Sequence, residues 1–409
     1  MKVAVMGYGT VGSGVVEVIE HHSDIIPKRT GGKALEISHI LDLRDFPNDA
    51  HKDLFTKDFN DILNDEETKI VAETMGGVNP AFDFTMKLLK AGKSVVTSNK
   101  ELVAQRGLEL LQAAEESGAN YLFEASVGGG IPIIRPLCQC LAANYIEGIA
   151  GILNGTTNFI LTKMIEDGMQ FDAALKLAQD LGFAERNPAA DIEGHDACRK
   201  ICILASLAFG KHVYPNFVHT EGITEITLED VKYAEAYNCV IKLIGRVKRL
   251  DDGKIDIIVA PMFVPNKSQL ANIDYEFNGI MVRGDCTGDV VFYGKGAGKL
   301  PTASAVVADV VDCCKHLKTR KFLFWADGNG DNILPYEESV TAMYIRANTT
   351  FELAQEVFGC IDKIEKADSP EGEIAFVTAQ LPYGEIIEKI AALESRGAKV
   401  ISKIRIGDL

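Results

Sequence analysis

The first dozen residues limit the fold more than any other stretch. Lys2 to Met6 runs apolar, as a buried first strand does. Gly7, Gly9 and Gly12 follow as G-x-G-x-x-G, and VVEVIEHH then sets apolar residues at helical spacing. Three glycines in such a turn have separate tasks: a tight turn, close approach of a pyrophosphate to backbone, and close helix–strand packing. The helix start then offers free N–H groups to phosphate. A glycine pattern alone is weak, but here it lies directly between a strand and a helix, the context a dinucleotide site needs.

A second strand is expected at Leu35–Leu43. An acid at its end selects NAD by bonding the ribose 2′-OH, whereas an Arg accepts the 2′-phosphate of NADP. The sequence offers both, Asp42 and Arg44. Arg44-Asp45 directly after the strand tips the reading toward NADP. Further strands are expected at Ile70–Thr74, Ser94–Ser98 and Tyr121–Glu124, with helices near 80–91 and 102–117 between them. This alternation predicts an α/β fold with a Rossmann-type, doubly wound parallel sheet and its ligand at the strand C-termini. Thr74-Met75-Gly76-Gly77 ends one strand and Thr97-Ser98-Asn99-Lys100 the next. Thr74, Met75, Ser98 and Lys100 are therefore candidate cofactor contacts, with Lys100 pointing a cation into the crevice.

The stretch LGFAERNPAADIEGHDACRK, from Leu181 to Lys200, packs Glu185, Asp191, Glu193, His195, Asp196, Arg199 and Lys200 close together and runs straight into ICILASLAFG. Ionisable groups beside apolar surface are costly unless paired or used. Asp196 and Lys200 are four apart and share one helix face. An acid and an amine held together on a buried helix start suit proton transfer. Glu193 and Arg199 read as solvated or structural, and His195 as a wall or capping residue.

The 409 residues suit two to four domains at roughly 100–200 residues each. With 47% hydrophobic and 24% charged residues the profile is that of a globular protein. A net charge of −16 argues against a nucleic-acid or anionic-membrane surface. The longest apolar run, Ile201–Phe209, is far short of the roughly 20 residues of a membrane span. MKVAVMGYGTVG shows no signal-peptide pattern, and the nine cysteines lack zinc-ribbon spacing, so a cytoplasmic protein with reduced thiols is expected.

Three more segments stand out. ASVGGGIP (125–132) is a glycine loop whose carbonyls, with Glu124, suit a small cation. GILNGTT (151–157) offers an N-G turn with hydroxyls, making Gly155 and Thr156 candidate substrate contacts. GKGAGKLPTASA (294–305), with Gly296 as a candidate cofactor contact, precedes an apolar helix expected to pack back on the first domain. Residues from about 135 to 300 mix helices and strands and read as an α+β substrate domain. From Thr341 the tail reads strand, helix, strand, strand, helix, strand, the ferredoxin-like pattern. The expected domains are 1–134 plus 301–320, 135–300 and 338–409.

GYGTVG, TSNKEL, EASVGGGIPII, GILNGTTNFI, the 181–200 stretch and FYGKGAGKLPTASAVVADVVD occur in that order. Together they make the chain resemble homoserine dehydrogenase with a C-terminal ACT-like regulatory domain. The resemblance implies reversible oxidation of L-homoserine to L-aspartate 4-semialdehyde with NAD(P), in threonine, methionine and isoleucine synthesis. It implies that Gly9, Thr10 and Val11 lie on the pyrophosphate, and Thr74 and Lys100 near the ribose and nicotinamide. By the same resemblance Lys200 is the catalytic lysine, Asp196 its partner, Asp191 a substrate-site carboxylate and Glu185 the amino-group ligand. Glu124, Val127, Gly129 and Ile131 match a structural sodium site. A homodimer or tetramer is implied, with dimerisation through the 135–300 domain and threonine as an effector at the tail.

The chain departs from the family pattern at three places. Asn187 stands where Asp is frequent, and His195 where an apolar residue is usual. The tail reads Asn348-Thr-Thr-Phe-Glu-Leu in place of D-x-P-G-x-L. Nothing resembling an aspartate kinase precedes the first strand, so the fused bifunctional form is not expected. Two rival readings stay open: another NAD(P)-dependent dehydrogenase of a small amino or hydroxy acid, and a non-catalytic dinucleotide and amino-acid sensor. The sensor could lose Lys100, Asp196 or Lys200 without cost, and all three are present.

Overall fold

Six strands from the first third of the chain form one parallel sheet: β1 (Lys2–Met6), β2 (Glu36–Leu41), β3 (Phe55–Thr56), β4 (Thr68–Glu73), β5 (Ser94–Thr97) and β6 (Tyr121–Leu122). Their order, β3-β2-β1-β4-β5-β6, is the doubly wound one predicted from the alternation of strands and helices. The order reverses between β1 and β4, which puts the ligand crevice at Gly7 and Thr74. Val3 to Met6 are wholly buried, as a central strand covered on both faces must be. The helix Thr10–His21 follows β1 directly. It packs so closely on the helix Lys299–Lys315 that a Cβ on Gly14 would lie 2.9 Å from the Lys299 carbonyl oxygen. The helix after the second glycine stretch thus returns to the first sheet's layer, as expected.

The computed structural model describes every residue except Ala367. Its backbone divides into two units, Met1–Asn144 with Arg199–Pro215 and Gly294–Asn329, and Tyr145–Cys198 with Asn216–Tyr293 and Gly330–Leu409. The second unit is built on one large mixed sheet. Its strands are β7 (Ile146–Ile152), β8 (His219–Thr220), β9 (Cys239–Arg249), β10 (Ile255–Pro265), β11 (Phe277–Gly284) and β12 (Gly288–Lys295). After the short pair β13 (Val340–Thr341) and β17 (Leu381–Pro382), the tail supplies β14 (Met343–Asn348), β15 (Ile361–Ile364), β16 (Glu373–Thr378) and β18 (Lys399–Ile406). The sheet runs β12-β11-β7-β9-β10-β18-β14-β16-β15, with β8 also on β10.

The tail strands alone run β18-β14-β16-β15, all antiparallel, with helices Phe351–Phe358 and Tyr383–Ser395 between them in sequence. This is the βαββαβ pattern read from the sequence. One face of these strands buries Met343, Ile345 and Phe376 against the two helices. On the other face Arg346 donates through Nε to Asp230 Oδ1 at 3.0 Å, and Tyr344 donates to the same oxygen at 3.1 Å. Asp230 sits on the helix Leu228–Ala236 and is wholly buried. Such a buried acid is tolerable only when paired, so these bonds hold the tail to the rest of its unit. In addition β18 pairs with β10, setting Arg405 opposite Met262. The tail therefore continues the sheet of the second unit. Among the described residues no helix is long and apolar enough to cross a membrane.

Candidate active site

The glycine loop is shaped for a phosphate group. Gly7 has φ +90°, a conformation that favours glycine. A Cβ on Gly12 would lie 1.8 Å from the Gly7 carbonyl oxygen, so only glycine fits there. At Gly9 a Cβ would meet nothing within 4 Å, and Gly9 caps the helix Thr10–His21 with no side-chain bond to its free amides. An open face over unspent N–H groups is what a pyrophosphate needs. Thr10 and Val11 form the first helical turn. Thr74 closes the floor by donating its hydroxyl to Gly7 O at 2.8 Å.

The strand ends beside this loop are tied through Glu73, which the sequence reading passed over. Glu73 is wholly buried at the end of β4. Its carboxylate accepts from Met75 N at 2.8 Å and from the Thr97 hydroxyl at 2.6 Å. Burial pushes its pKa upward against the pull of these donors. Asn99 continues the chain of bonds, donating to Gly77 O at 2.6 Å and accepting from Leu102 N at 3.1 Å. The Met75 and Ser98 turns are thereby locked together. Lys100 is the first residue of the helix Lys100–Ser117, at the crevice end of β5. Its neighbour Glu101 accepts from Arg199 at 3.4 Å, which brings the Lys100 and Lys200 segments side by side.

Both residues at the end of β2 matter, and they act on each other. Arg44 donates through Nε and Nη2 to Asp42, at 3.0 and 2.8 Å, and also to Tyr8 O at 2.9 Å. Asp42 further accepts from Tyr8 N at 2.8 Å. The Arg44 bond, above all, holds the Asp42 carboxyl far below its usual range. Asp42 is thus already supplied with donors, while the Arg44 side chain is 61% exposed.

In the second unit the strand β7 runs into Asn154, which caps the helix Gly155–Asp167 by accepting from Thr157 N at 2.8 Å. Its amide nitrogen donates to Asp191 Oδ1 at 2.7 Å and to Asp196 Oδ2 at 2.9 Å. One side chain thereby gathers two carboxylates of the 181–200 stretch, Asp191 and Asp196. Gly155 must be glycine, because a Cβ would lie 2.6 Å from Glu276 O. Thr156 donates its hydroxyl to Phe183 O at 2.6 Å, fastening the segment that leads to Glu185. Gly194, at φ +85°, turns the chain from the short helix Ala189–Ile192 into the helix His195–Phe209. That helix carries Asp196, 3% exposed, and one turn later Lys200, 6% exposed. His195 and Glu193 point to solvent and bond each other at 3.2 Å. Glu185 and Asn187 are exposed, and Asp191 is half-buried.

The sequence reading took Asn154 only as part of an N-G turn. Its signal was there: Asn directly before a helix is a preferred cap, and a cap amide has two donors to spare.

The cation expected at Glu124, Val127, Gly129 and Ile131 fits less well. The Glu124 carboxylate accepts from Ile133 N, Ile134 N and Arg135 N at 2.7–2.8 Å, and from Arg135 Nε at 3.1 Å. Its lone pairs are spent on this turn, so a sodium ion has only main-chain carbonyls of the loop to use. Val127 and Ile131 bury their side chains. Gly129 lies against Gly296, where a Cβ would be 2.2 Å from the Gly296 carbonyl oxygen, and Gly130 N donates to Lys295 O at 3.0 Å. The two glycine stretches are therefore glycine-rich at least partly because their backbones touch. Among the described residues no group of three or more His, Cys, Asp or Glu side chains is placed to hold a metal.

Comparison with known proteins identifies the family. The family model "Homoserine dehydrogenase" matches residues 132–311, and "Homoserine dehydrogenase, NAD binding domain" matches residues 7–124. The chain is 42% identical to the homoserine dehydrogenase of Bacillus subtilis over 322 residues, covering 78% of this chain and 74% of that one. It is 37% identical to the homoserine dehydrogenase of Neisseria gonorrhoeae, across 100% of this chain and 99% of that one. The crystal structure of a homoserine dehydrogenase from Thiobacillus denitrificans superposes with a TM-score of 0.90 at 36% identity, covering 100% and 98% of the two chains. The chain belongs to the homoserine dehydrogenase family, NAD(P)-dependent oxidoreductases that interconvert L-homoserine and L-aspartate 4-semialdehyde.

Proposed function

We propose that Lys200 takes and returns the proton of the substrate hydroxyl, that Asp196 holds Lys200 in place, and that Asp191 and Glu185 anchor the substrate. The observation that carries this reading is the amide of Asn154 bonded to both Asp191 and Asp196, one helical turn before Lys200. The Asn154 amide holds two carboxylates close together, a setting that suits the ammonium group of an amino acid, and an amine base on the same helix would meet the hydroxyl end. Lys100 is read as a second cation of the site; the Glu101–Arg199 bond, which joins the residues next to Lys100 and Lys200, supports that reading.

When bound, the nicotinamide supplies the hydride acceptor. Gly7, Gly9, Thr10, Val11 and Gly12 would hold its pyrophosphate, with Thr74, Met75, Ser98, Lys100 and Gly296 around the remainder. The protein's own part is to hold the substrate carbon within about 3–3.5 Å of the acceptor and to handle one proton. We read the cofactor as NADP: the Arg44 guanidinium is exposed where the 2′-phosphate of the ribose would lie, and Asp42 is already satisfied by donors.

The tail, read as ACT-like, is the place for regulation by an amino acid such as threonine, and a homodimer or tetramer is the expected assembly. The place in threonine, methionine and isoleucine synthesis follows from the same reading. The test is oxidation of NADPH by aspartate 4-semialdehyde, with and without threonine, using wild type and Lys200→Ala. Full turnover in Lys200→Ala overturns the role of Lys200. Turnover of malate or 3-hydroxyisobutyrate at rates equal to homoserine would overturn the substrate assignment.

A further inference from the structure

We infer that the ion pair between Arg405 and Glu221 is a positioning device through which the last strand of the chain fixes the segment carrying Asp191 and Asp196. This rests on the reading of those two carboxylates as the substrate side of the site.

The pair joins two distant parts of the sequence within the second unit. Arg405 Nη1 lies 2.7 Å from Glu221 Oε1, and Arg405 is only 4% exposed. Arg405 sits on β18 at the position registered with Met262 of β10, so the sheet holds it firmly. The guanidinium also lies over the rings of Tyr383 and Tyr336, 4.6 and 5.8 Å from their centres. Glu221 is held from the other side by His219, whose Nε2 is 2.8 Å from the same oxygen, and His219 stacks flat on Tyr336. A side chain gripped by two partners in this way has little freedom of its own.

Glu221 in turn supports the backbone beneath the site. Its amide donates to Val259 O at 2.8 Å, anchoring residues 220–222 to β10. Ile223 N donates to Ile192 O at 2.8 Å. A Cβ on Gly222 would lie 2.3 Å from Ile192 O and 2.7 Å from Glu193 Cα. A Cβ on Gly194 would lie 3.1 Å from Glu221 O. The 192–194 segment thus rests on residues 220–223 with no room for a side chain between them. Gly194 O accepts from Cys198 N at 2.9 Å, opening the helix that carries Asp196. Asp191 lies on the other side of the same turn. A shift of Glu221 therefore reaches both carboxylates through close backbone contacts at Gly222 and Gly194, with the Thr220 methyl also packed against Gly194 at 3.0 Å from a Cβ placed there.

The experiment uses the full-length enzyme and four variants: Glu221→Gln, Arg405→Gln, Arg405→Lys and the Glu221→Gln/Arg405→Gln double. We expect the homoserine KM to rise about 10-fold in each Gln variant, and the double to be no worse than the poorer single, as coupled residues behave. The KM for NADPH should stay within about twofold, since the cofactor loop belongs to the other unit. Arg405→Lys, which keeps the charge, should recover most of the loss. An unchanged homoserine KM, losses that multiply in the double, or an equal rise in both KM values would overturn the proposal.

Should Arg405→Gln fail to fold, Glu221→Gln and Arg405→Lys still decide it, together with amide hydrogen exchange over residues 191–198. Faster exchange there in Glu221→Gln supports the proposal, and unaltered exchange overturns it. Asp191→Asn separates the two readings. If Asp191→Asn raises the homoserine KM while the 221 and 405 variants are normal, only the positioning role fails. If Asp191→Asn is itself neutral, the underlying assignment of the substrate side fails.

Discussion

Asn154 donates to Asp196 at 2.9 Å across 42 residues of sequence, and the same amide nitrogen reaches Asp191 at 2.7 Å. The strand end that precedes the helix Gly155–Asp167 therefore holds together the two aspartates proposed as the acidic half of the site. Removing the amide leaves a buried carboxylate short of a donor, which typically costs about 1.5–3 kcal/mol when the group is charged. Asn154→Ala should lower kcat/KM for homoserine by about 10- to 100-fold. Asn154→Asp, which adds a third carboxylate, should be worse than Asn154→Ala. Equal kinetics for wild type and Asn154→Asp would contradict the shared-donor arrangement.

Lys200 lies one turn beyond Asp196 on the helix His195–Phe209, and both are buried. If its amine carries the proton, Lys200→Ala should lose about 10²- to 10⁴-fold in kcat. Cofactor affinity, followed by quenching of NADPH fluorescence, should stay near that of wild type. Loss of NADPH binding on the same scale as the loss of turnover would assign Lys200 to the fold instead.

Gly9 and Gly12 offer a paired test of the phosphate loop. Alanine at Gly12 would place Cβ 1.8 Å from Gly7 O, so Gly12→Ala should lower both Tm and cofactor affinity. Alanine at Gly9 meets no protein atom within 4 Å, so Gly9→Ala should leave Tm unchanged. Its Cβ would instead occupy space that the pyrophosphate needs, raising the cofactor KM by about 10-fold or more. A normal cofactor KM in Gly9→Ala would remove that position from the binding surface.

Arg44 is bonded to Asp42, so the proposed preference for NADP can be tested on the pair. Arg44→Ala removes the cation and returns Asp42 to the ribose hydroxyls. The ratio of kcat/KM for NADPH over NADH should therefore fall by about 10-fold or more, mostly through a weaker NADPH. An unaltered ratio would show that selection lies elsewhere.

Glu221 gives a pH dependence with a definite sign. Burial alone would raise its pKa, but His219 and Arg405 hold it down at about 2 against an ordinary 4.5. Tyr336 and Tyr383 are the other titratable groups packed around Arg405. A depressed carboxyl pKa stabilises the fold fully above about pH 4.5 and loses that contribution as pH falls toward about 2. Glu221→Gln should therefore flatten the acid side of the Tm-against-pH curve between those limits. Parallel curves for wild type and variant would refute the linkage.

Much of this was legible in the chain because it rests on local rules. The strand–G-x-G-x-x-G–helix start predicted the parallel sheet, and its order matches. The tail's alternation predicted its six elements. The i, i+4 spacing placed Asp196 and Lys200 on one helix face. Asn154 and Glu73 were harder to see, since a cap residue and an acid ending an apolar strand gain their meaning from partners far along the chain. Glu124 shows the opposite case: its composition and setting suited a cation, while its carboxylate is spent on three amides and Arg135.

By itself the sequence determined the periodicities, the glycine positions and the family, because these depend on neighbours within a few residues or on motifs in fixed order. Only the tertiary structure decided which polar groups meet. It set Asn154 on two aspartates, closed Arg44 onto Asp42, ran the tail's sheet into that of the second unit and put Arg405 against Glu221. Buried polar groups must find partners wherever packing brings them, and packing joins residues that no local spacing connects.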